Sequence, residues 1–256
     1  MEQNRWNLAG KKAMVTGGTK GIGKAIVEEF AALGAEVLLV ARNGAEVEDF
    51  TRQLQEAGHR VHGVALDLSR AEDRQRLVEF ATAQLGGLDI LVNNVGTNIR
   101  KKTPEYTAEE VGFLMNTNLL SAYHLCQLAF PLLRASGAGN VINVASVAGL
   151  VHVRSGSVYG MTKAAMVQLT RNLAAEWAPE GIRVNAVAPW YIETPLARAV
   201  LQNPDFYQAV VDRTPMRKIG RPEDVSAAVA FLCMPGAAYI TGQCLAVDGG
   251  FTINGF

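Results

Sequence analysis

Val15-Thr16-Gly17-Gly18-Thr19-Lys20-Gly21-Ile22-Gly23 completes the apolar run Ala13-Met14-Val15 and opens the helical pattern Ala25-Ile26-Val27-Glu28-Glu29-Phe30. Strand, glycine turn and helix in that order suit a nucleotide phosphate. Glycines let backbone N–H groups approach a pyrophosphate, and the helix N-terminus adds a favourable dipole. The spacing is Gly-x3-Gly-x-Gly, not Gly-x-Gly-x2-Gly, and an ordinary strand-to-helix turn is the plain alternative. Its place between a first strand and a long helix favours a dinucleotide.

Outward from this turn, strands and helices alternate. Apolar strand patterns fall at Lys12–Thr16, Val37–Ala41, Val61–Ala65, Ile90–Asn93, Val141–Val144, Arg183–Val187 and Leu245–Val247. Helical patterns fall at Ile22–Leu33, Ala45–Ala57, Arg70–Leu85, Ala108–Arg134, Ser157–Ala178 and Pro222–Cys233. Strands without polar alternation are covered on both faces, which predicts a parallel sheet with helices on each side. Right-handed crossovers then make a single-domain, doubly wound α/β Rossmann fold with seven parallel strands over residues 1–256. Pro189 to Pro215 reads as a long irregular segment, a candidate substrate-binding loop.

Composition is that of an enzyme domain. Apolar residues make up 49% of 256, enough for a two-sided core, and 24 basic residues balance 24 acidic ones. No net field draws nucleic acid or an acidic membrane. Cys126, Cys233 and Cys244 are odd in number and scattered, as buried thiols in a reducing compartment are. His59 and His62 lack a cluster of further ligands, so no metal is expected. Met1-Glu2-Gln3-Asn4-Arg5-Trp6 has no apolar targeting pattern, and no run reaches spanning length, so the expected compartment is the cytoplasm.

Chemistry concentrates in Val144-Ala145-Ser146 and Ser157-Val158-Tyr159-Gly160-Met161-Thr162-Lys163. On a helix starting near 157, Tyr159 and Lys163 share one face. An ammonium beside a phenol favours phenolate and predicts a lowered Tyr159 pKa. Such a phenol can exchange a proton with a carbonyl or alcohol oxygen near neutral pH. A packed ring beside a solvated amine is the plain alternative.

Together, Thr16-Gly17-x3-Gly21-Ile22-Gly23, Asn93-Asn94-Val95-Gly96, Asn118, Ser146, Tyr159-x3-Lys163 and Thr241-Gly242-Gln243 … Val247-Asp248-Gly249-Gly250 resemble the short-chain dehydrogenase/reductase family over nearly the whole chain. Arg5-Trp6-Asn7-Leu8, Ala122-Tyr123-His124-Leu125, Ala230-Phe231-Leu232-Cys233 and Gly249-Gly250-Phe251-Thr252 … Gly255-Phe256 are similar to its tropinone reductases. The resemblance implies hydride transfer between a nicotinamide and a carbonyl carbon. Ser146 would orient the carbonyl, Tyr159 donate the proton, and Lys163 tune Tyr159 and bind the nicotinamide ribose. Asn118 would hold a relay water, with Asn116 as the neighbouring alternative. The cofactor would touch the turn residues Gly17, Thr19, Lys20, Gly21, Ile22 and Gly23, then Asp67, Leu68, Asn94 and Gly96. Pro189, Ile192 and Thr194 would meet the nicotinamide end.

NAD sites usually carry an acid about 20 residues beyond the glycine turn. Here the second strand ends Val40-Ala41-Arg42-Asn43. Arg42 can fork onto a 2′-phosphate and Lys20 can assist, so NADP(H) is expected. Solvated surface charge is the alternative for both. Two residues depart from the family pattern: Val95 stands for Ala, and Trp190 for the Gly after Pro189. Trp190 must turn into the pocket or move the loop. His152, Trp190, Leu196 and Phe206 are expected, with Ser146 and Tyr159, to line an apolar pocket for a small, compact ketone. A 3-oxoacyl carrier-protein reductase is the alternative, with Arg154 and Arg171 as its basic patch. A non-catalytic NADP-binding module is a remote third reading, disfavoured because Ser, Tyr and Lys are all present. The partners expected are a ketone or alcohol and further copies of the chain, as a homodimer or homotetramer; neither nucleic acid nor membrane is expected.

Overall fold

The computed structural model describes residues 5–255. Met1 to Asn4 of the expected non-targeting N-terminus, and Phe256 of the tropinone-reductase-like ending, lie outside the described residues. The order is β1 (Lys12–Thr16), α1 (Gly21–Ala32), β2 (Glu36–Ala41), α2 (Gly44–Glu56), β3 (Val61–Ala65), α3 (Ala71–Leu85) and β4 (Ile90–Asn93). Then come α4 (Ala108–Met115), a π-helical turn (Asn116–Leu120), α5 (Ser121–Ala135), β5 (Gly139–Val144), α6 (Ser157–Trp177) and β6 (Ile182–Pro189). The remainder is α7 (Pro195–Leu201), α8 (Pro204–Arg213), α9 (Pro222–Cys233) and β7 (Cys244–Val247).

All seven strands are parallel, in the order β3-β2-β1-β4-β5-β6-β7. Alternate residues feed opposite faces. Ala13, Val15, Val37 and Leu39 pack with Ile26 and Phe30 of α1 and Val225 of α9. Met14, Leu38 and Val40 pack with Leu77 of α3, Leu125 of α5 and Leu173 of α6. The expected doubly wound fold is therefore present. Its order reverses between β1 and β4, and open sheets of this kind bind ligands at that point, beyond the carboxyl ends of the strands.

Two expectations need correction. The predicted helix Ala108–Arg134 is interrupted by the π turn at Asn116–Leu120. The segment from Pro189 to Pro215 is not irregular either: Pro189 closes β6, and α7 and α8 fill most of the rest. Its prolines open helices instead of breaking them. Thr194 and Asn203 are N-caps that accept from Ala197 N (3.3 Å) and Phe206 N (3.0 Å), each followed by proline at the first helical position. That position needs no backbone N–H, and proline's φ suits it. No helix among the described residues is long and apolar enough to cross a membrane.

Candidate active site

A cleft of about 640 Å³ runs along the carboxyl edge of the sheet, from the glycine turn past the ends of β2, β3 and β4 to Ser146, Tyr159 and Lys163. That size accommodates a cofactor-scale ligand.

The glycine turn is held on two sides. Gly17 N and Gly18 N donate to Val40 O at 2.8 and 3.2 Å. Asn94 Nδ2 donates to Thr16 O (2.8 Å) and Gly17 O (3.3 Å), while Asn94 N and Val95 N donate to Thr16 Oγ1. Gly17 sits at φ 68, a left-handed conformation open to glycine. The expected cofactor residue Gly23 does not line the cleft. A Cβ there would lie 2.1 Å from Gly17 O, so Gly23 lets α1 pack under the turn. Lys20, the N-cap of α1, makes no side-chain cap bond, which leaves the first-turn N–H groups facing the cleft. Uncapped amides beside glycine backbone fit a pyrophosphate.

At the end of the cleft beyond β2 and β3, Arg42, Asp67 and Leu68 line it. Burial opposes charge on Asp67, but the Ser69 N–H and hydroxyl, then Arg42 and Arg70, outweigh it and lower its pKa. Sequence reading missed Glu46 here. β2 itself ends without an acid, but α2 returns Glu46 to the cleft. Glu46 pairs with Lys20 at 2.6 Å and accepts from Asn43 Nδ2 at 2.8 Å. The Asn43-x-x-Glu46 spacing of a helix start was the signal available.

At the other end, Ser146 follows β5 and Tyr159 and Lys163 lie one turn apart on α6. The Ser146 and Tyr159 hydroxyls stand close together, near enough for Ser146 to pull the Tyr159 pKa down. The Tyr159 pKa is nevertheless raised, not lowered: burial dominates over the Ser146 hydroxyl and the nearby Arg100 charge. Lys163 does not reach the phenol oxygen. Its Nζ lies 5.8 Å from the ring centre and donates to Val144 O at 2.8 Å. Burial pulls the Lys163 pKa down to about 8.

Asn118 is fully buried inside the π turn, and Thr117, not Asn118, lines the cleft. Its side chain clamps Thr97: Thr97 N donates to Oδ1 (2.8 Å), while Nδ2 donates to Thr97 O (2.9 Å) and Thr162 Oγ1 (3.3 Å). Asn116 turns elsewhere, to Ser69 O. A Cβ on Gly96 would lie 3.3 Å from Lys163 Nζ and 3.6 Å from Asn118 Oδ1, so glycine keeps the space between them open.

Thr19, Gly21, Ile22, Asn94, Gly96, Pro189, Ile192, Thr194, Trp190 and Leu196 also line the cleft; His152 and Phe206 do not. His152 is exposed, because the chain leaves the cleft after Ala148 and returns with Val153 and Ser155. Phe206 stands behind Tyr191, edge-on at 5.7 Å. The backbone at Trp190 continues the pairing of β6 with β7: its N–H bonds Val247 O (3.2 Å). The indole stacks on Phe251 at 3.7 Å and donates to Thr214 Oγ1 at 3.1 Å, while one side borders the cleft. Arg100 and Asn98, missed in the sequence because no periodicity marks them, border it too.

Residues 17–252 match a family model described as Enoyl-(Acyl carrier protein) reductase. The chain belongs to the short-chain dehydrogenase/reductase family and is an oxidoreductase of that family. A tropinone reductase homolog of Arabidopsis thaliana is 54% identical over 253 residues, 98% of this chain and 96% of that protein. Among solved structures, a gluconate 5-dehydrogenase from Burkholderia cenocepacia J2315 in complex with NADP and tartrate is 30% identical, with TM-score 0.94 and 98% of each chain covered. A 7 alpha-hydroxysteroid dehydrogenase complexed with NADH and 7-oxo glycochenodeoxycholic acid is 33% identical, with TM-score 0.93 and 98% of each chain covered.

Proposed function

We propose that this chain is an NADP(H)-dependent carbonyl reductase acting reversibly on a small ketone. The observation that carries it is the hydroxyl pair Ser146–Tyr159, beside a buried Lys163, in one cleft with the uncapped glycine turn and Arg42.

Bound NADPH supplies the hydride. Ser146 holds the carbonyl oxygen, and Tyr159, on the same oxygen, gives up its proton as negative charge develops there. A phenol whose pKa burial has raised is fully protonated at neutral pH, the form a reduction needs. Lys163 supplies the positive charge that stabilises the tyrosinate left behind and replaces its bond to Val144 O with cofactor ribose hydroxyls. Asn118 positions Thr97 and Gly96 against Lys163, and Oδ1 keeps a lone pair for a relay water. Gly17, Thr19, Gly21 and Ile22 cradle the pyrophosphate. Asn94 and Gly96 shape the ribose floor, and Pro189, Ile192 and Thr194 the nicotinamide end. Arg42, with Lys20, recognises the 2′-phosphate, and Asp67 and Leu68 flank the adenine. Trp190, Leu196 and Val153 offer apolar surface to the substrate's carbon skeleton, as expected for a tropinone reductase-like enzyme.

The carrier-protein alternative keeps only a thin basic patch: Arg154 is exposed between the cleft-lining Val153 and Ser155, but Arg171 lies 12 residues beyond Tyr159 on α6, about 18 Å along the helix. Exposed Phe113, Leu120, Tyr123 and Met161 on the α4–α5 and α6 surfaces support pairing into a homodimer or homotetramer. Cys126 and Cys233, pushed by burial to about 12, suit the reducing cytoplasm. NADPH consumption against a panel of ketones and acyl thioesters tests the function. Ketone turnover that falls about 10²–10⁴-fold in Tyr159→Phe, with little change in NADPH affinity, is expected. Turnover that survives in Tyr159→Phe would reject Tyr159 as the acid.

A further inference from the structure

The catalytic end of the cleft carries charge of one sign. Arg100 lines it beside Tyr159 and Tyr191. Its guanidinium is close enough to the Tyr191 hydroxyl to pull that phenol's pKa down against the rise that burial causes. The two acids that line the cleft, Glu46 and Asp67, stand at the adenosine end with Lys20 and Arg42. Arg100 takes part in no ion pair among the described residues, whereas its neighbour Lys101 is neutralised by Glu110 at 2.5 Å.

The backbone that leads into this exposed arginine is held in place. Asn98 Nδ2 donates to Ser155 O at 2.9 Å, and the Tyr106 hydroxyl donates to Ile99 O at 2.5 Å, so the backbone just before Arg100 is pinned at two points. Gly156 makes the second anchor possible: it sits at φ 93, and a Cβ there would fall 2.2 Å from the Tyr106 hydroxyl. Beside Arg100, two buried polar atoms, Asn98 Oδ1 and Ser155 Oγ, have no protein partner, and both residues line the cleft. Ser155 is 7% exposed. Buried polar atoms of this kind leave room in the hydrogen-bonding of the Arg100 surroundings for a bound water.

Resting on the carbonyl-reductase reading, we propose that the substrate is an oxo acid whose carboxylate is held at the cleft mouth by Arg100 and the Tyr191 hydroxyl. The guanidinium fork matches a carboxylate bidentately, and the adjoining hydroxyl donates a further bond. The apolar surface of Trp190 and Leu196 then meets the carbon skeleton between carbonyl and carboxylate. In the oxidative direction the substrate is the corresponding hydroxy acid.

The test compares ligands of one shape and different charge on the same protein. Calorimetry measures cyclohexanecarboxylate and cyclohexanecarboxamide binding to the enzyme–NADP+ complex. Initial rates compare 3-oxocyclohexanecarboxylate with its carboxamide. Wild type is expected to prefer the carboxylate about tenfold or more in both assays. Arg100→Met and Arg100→Gln should bring the ratio close to one, and Arg100→Lys should keep part of it. A general loss of fold would affect both ligands and leave the ratio intact, so the ratio reports the charge. Equal or undetectable binding of both ligands to wild type, or a preference that survives Arg100→Met, overturns the proposal. If the neutral ketone is still reduced, and that reduction is lost in Tyr159→Phe, the reductase reading stands while the oxo-acid proposal falls. Carboxylate-selective binding without turnover of either ketone would instead refute the reductase reading.

Discussion

Lys163→Met should change how stability depends on pH. Lys163 is 3% exposed, and burial draws its pKa from the usual 10.5 to about 8. Below pH 8 both folded and unfolded chains hold the proton, so the folded state carries the full cost of a buried ammonium. Between about pH 8 and 10.5 the unfolded chain still holds it while the folded chain has released it. The unfolded state then binds more protons, and stability rises with pH through that window. At 1.36 kcal/mol per pKa unit, this side chain alone should contribute about 2 kcal/mol between pH 7 and pH 10. Met removes the ammonium and also leaves Val144 O without its 2.8 Å donor, but that second loss does not depend on pH. The assay is urea unfolding of the cofactor-free protein from pH 7 to 10, wild type minus Lys163→Met, so that other titrating groups cancel. The wild type should gain about 2 kcal/mol on the variant over that range. A flat difference, or a slope of opposite sign, would show that Lys163 is not a buried ammonium of lowered pKa.

Wild type should use NADPH in preference to NADH, and Arg42→Asp should move the kcat/KM ratio towards NADH by about tenfold or more, the scale of one charge-assisted bond; a wild type that prefers NADH sinks the argument. Glu46→Gln should free Lys20 and tighten NADP+ relative to NAD+ severalfold in titrations, whereas equal or weaker NADP+ binding would mean that the Lys20–Glu46 pair does not restrain recognition. Trp190→Gly should lower the melting temperature by about 5–10 °C, since it removes a half-buried indole, its stack on Phe251 and its bond to Thr214. Trp190→Phe keeps the stack and should lose only about 2–4 °C; a glycine variant as stable as wild type, with larger ketones newly accepted, would make the indole a wall instead of an anchor.

Parallel strands buried on both faces announce themselves as apolar runs, and helices between them by their period, so the doubly wound fold could be read directly. Tyr159 and Lys163 could be read as a pair because four residues on a helix are one turn. Signals that compete locally were harder to weigh. Prolines 195 and 204 read as breakers, although the Thr194 and Asn203 caps before them were present in the sequence. The break within Ala108–Arg134 was hard to read because a π turn keeps the chain helical and only shifts the phase of the apolar pattern by about one residue.

The chain by itself determined the edge on which chemistry gathers: strand periodicity sets the topology, and topology puts the glycine turn, Arg42, Ser146 and Tyr159 beyond the strand ends. Distances between segments far apart in sequence were decided only by tertiary packing. That packing pairs Glu46 with Lys20, turns Asn118 to Thr97, and seats Trp190 on Phe251. It also reverses the direction of the Tyr159 pKa. Spacing along α6 brings an ammonium near the ring, but the pKa follows from desolvation and from where Lys163 Nζ finds its partner, at Val144 O. Burial and hydrogen-bond partners belong to the assembled interior, and no stretch of sequence contains them.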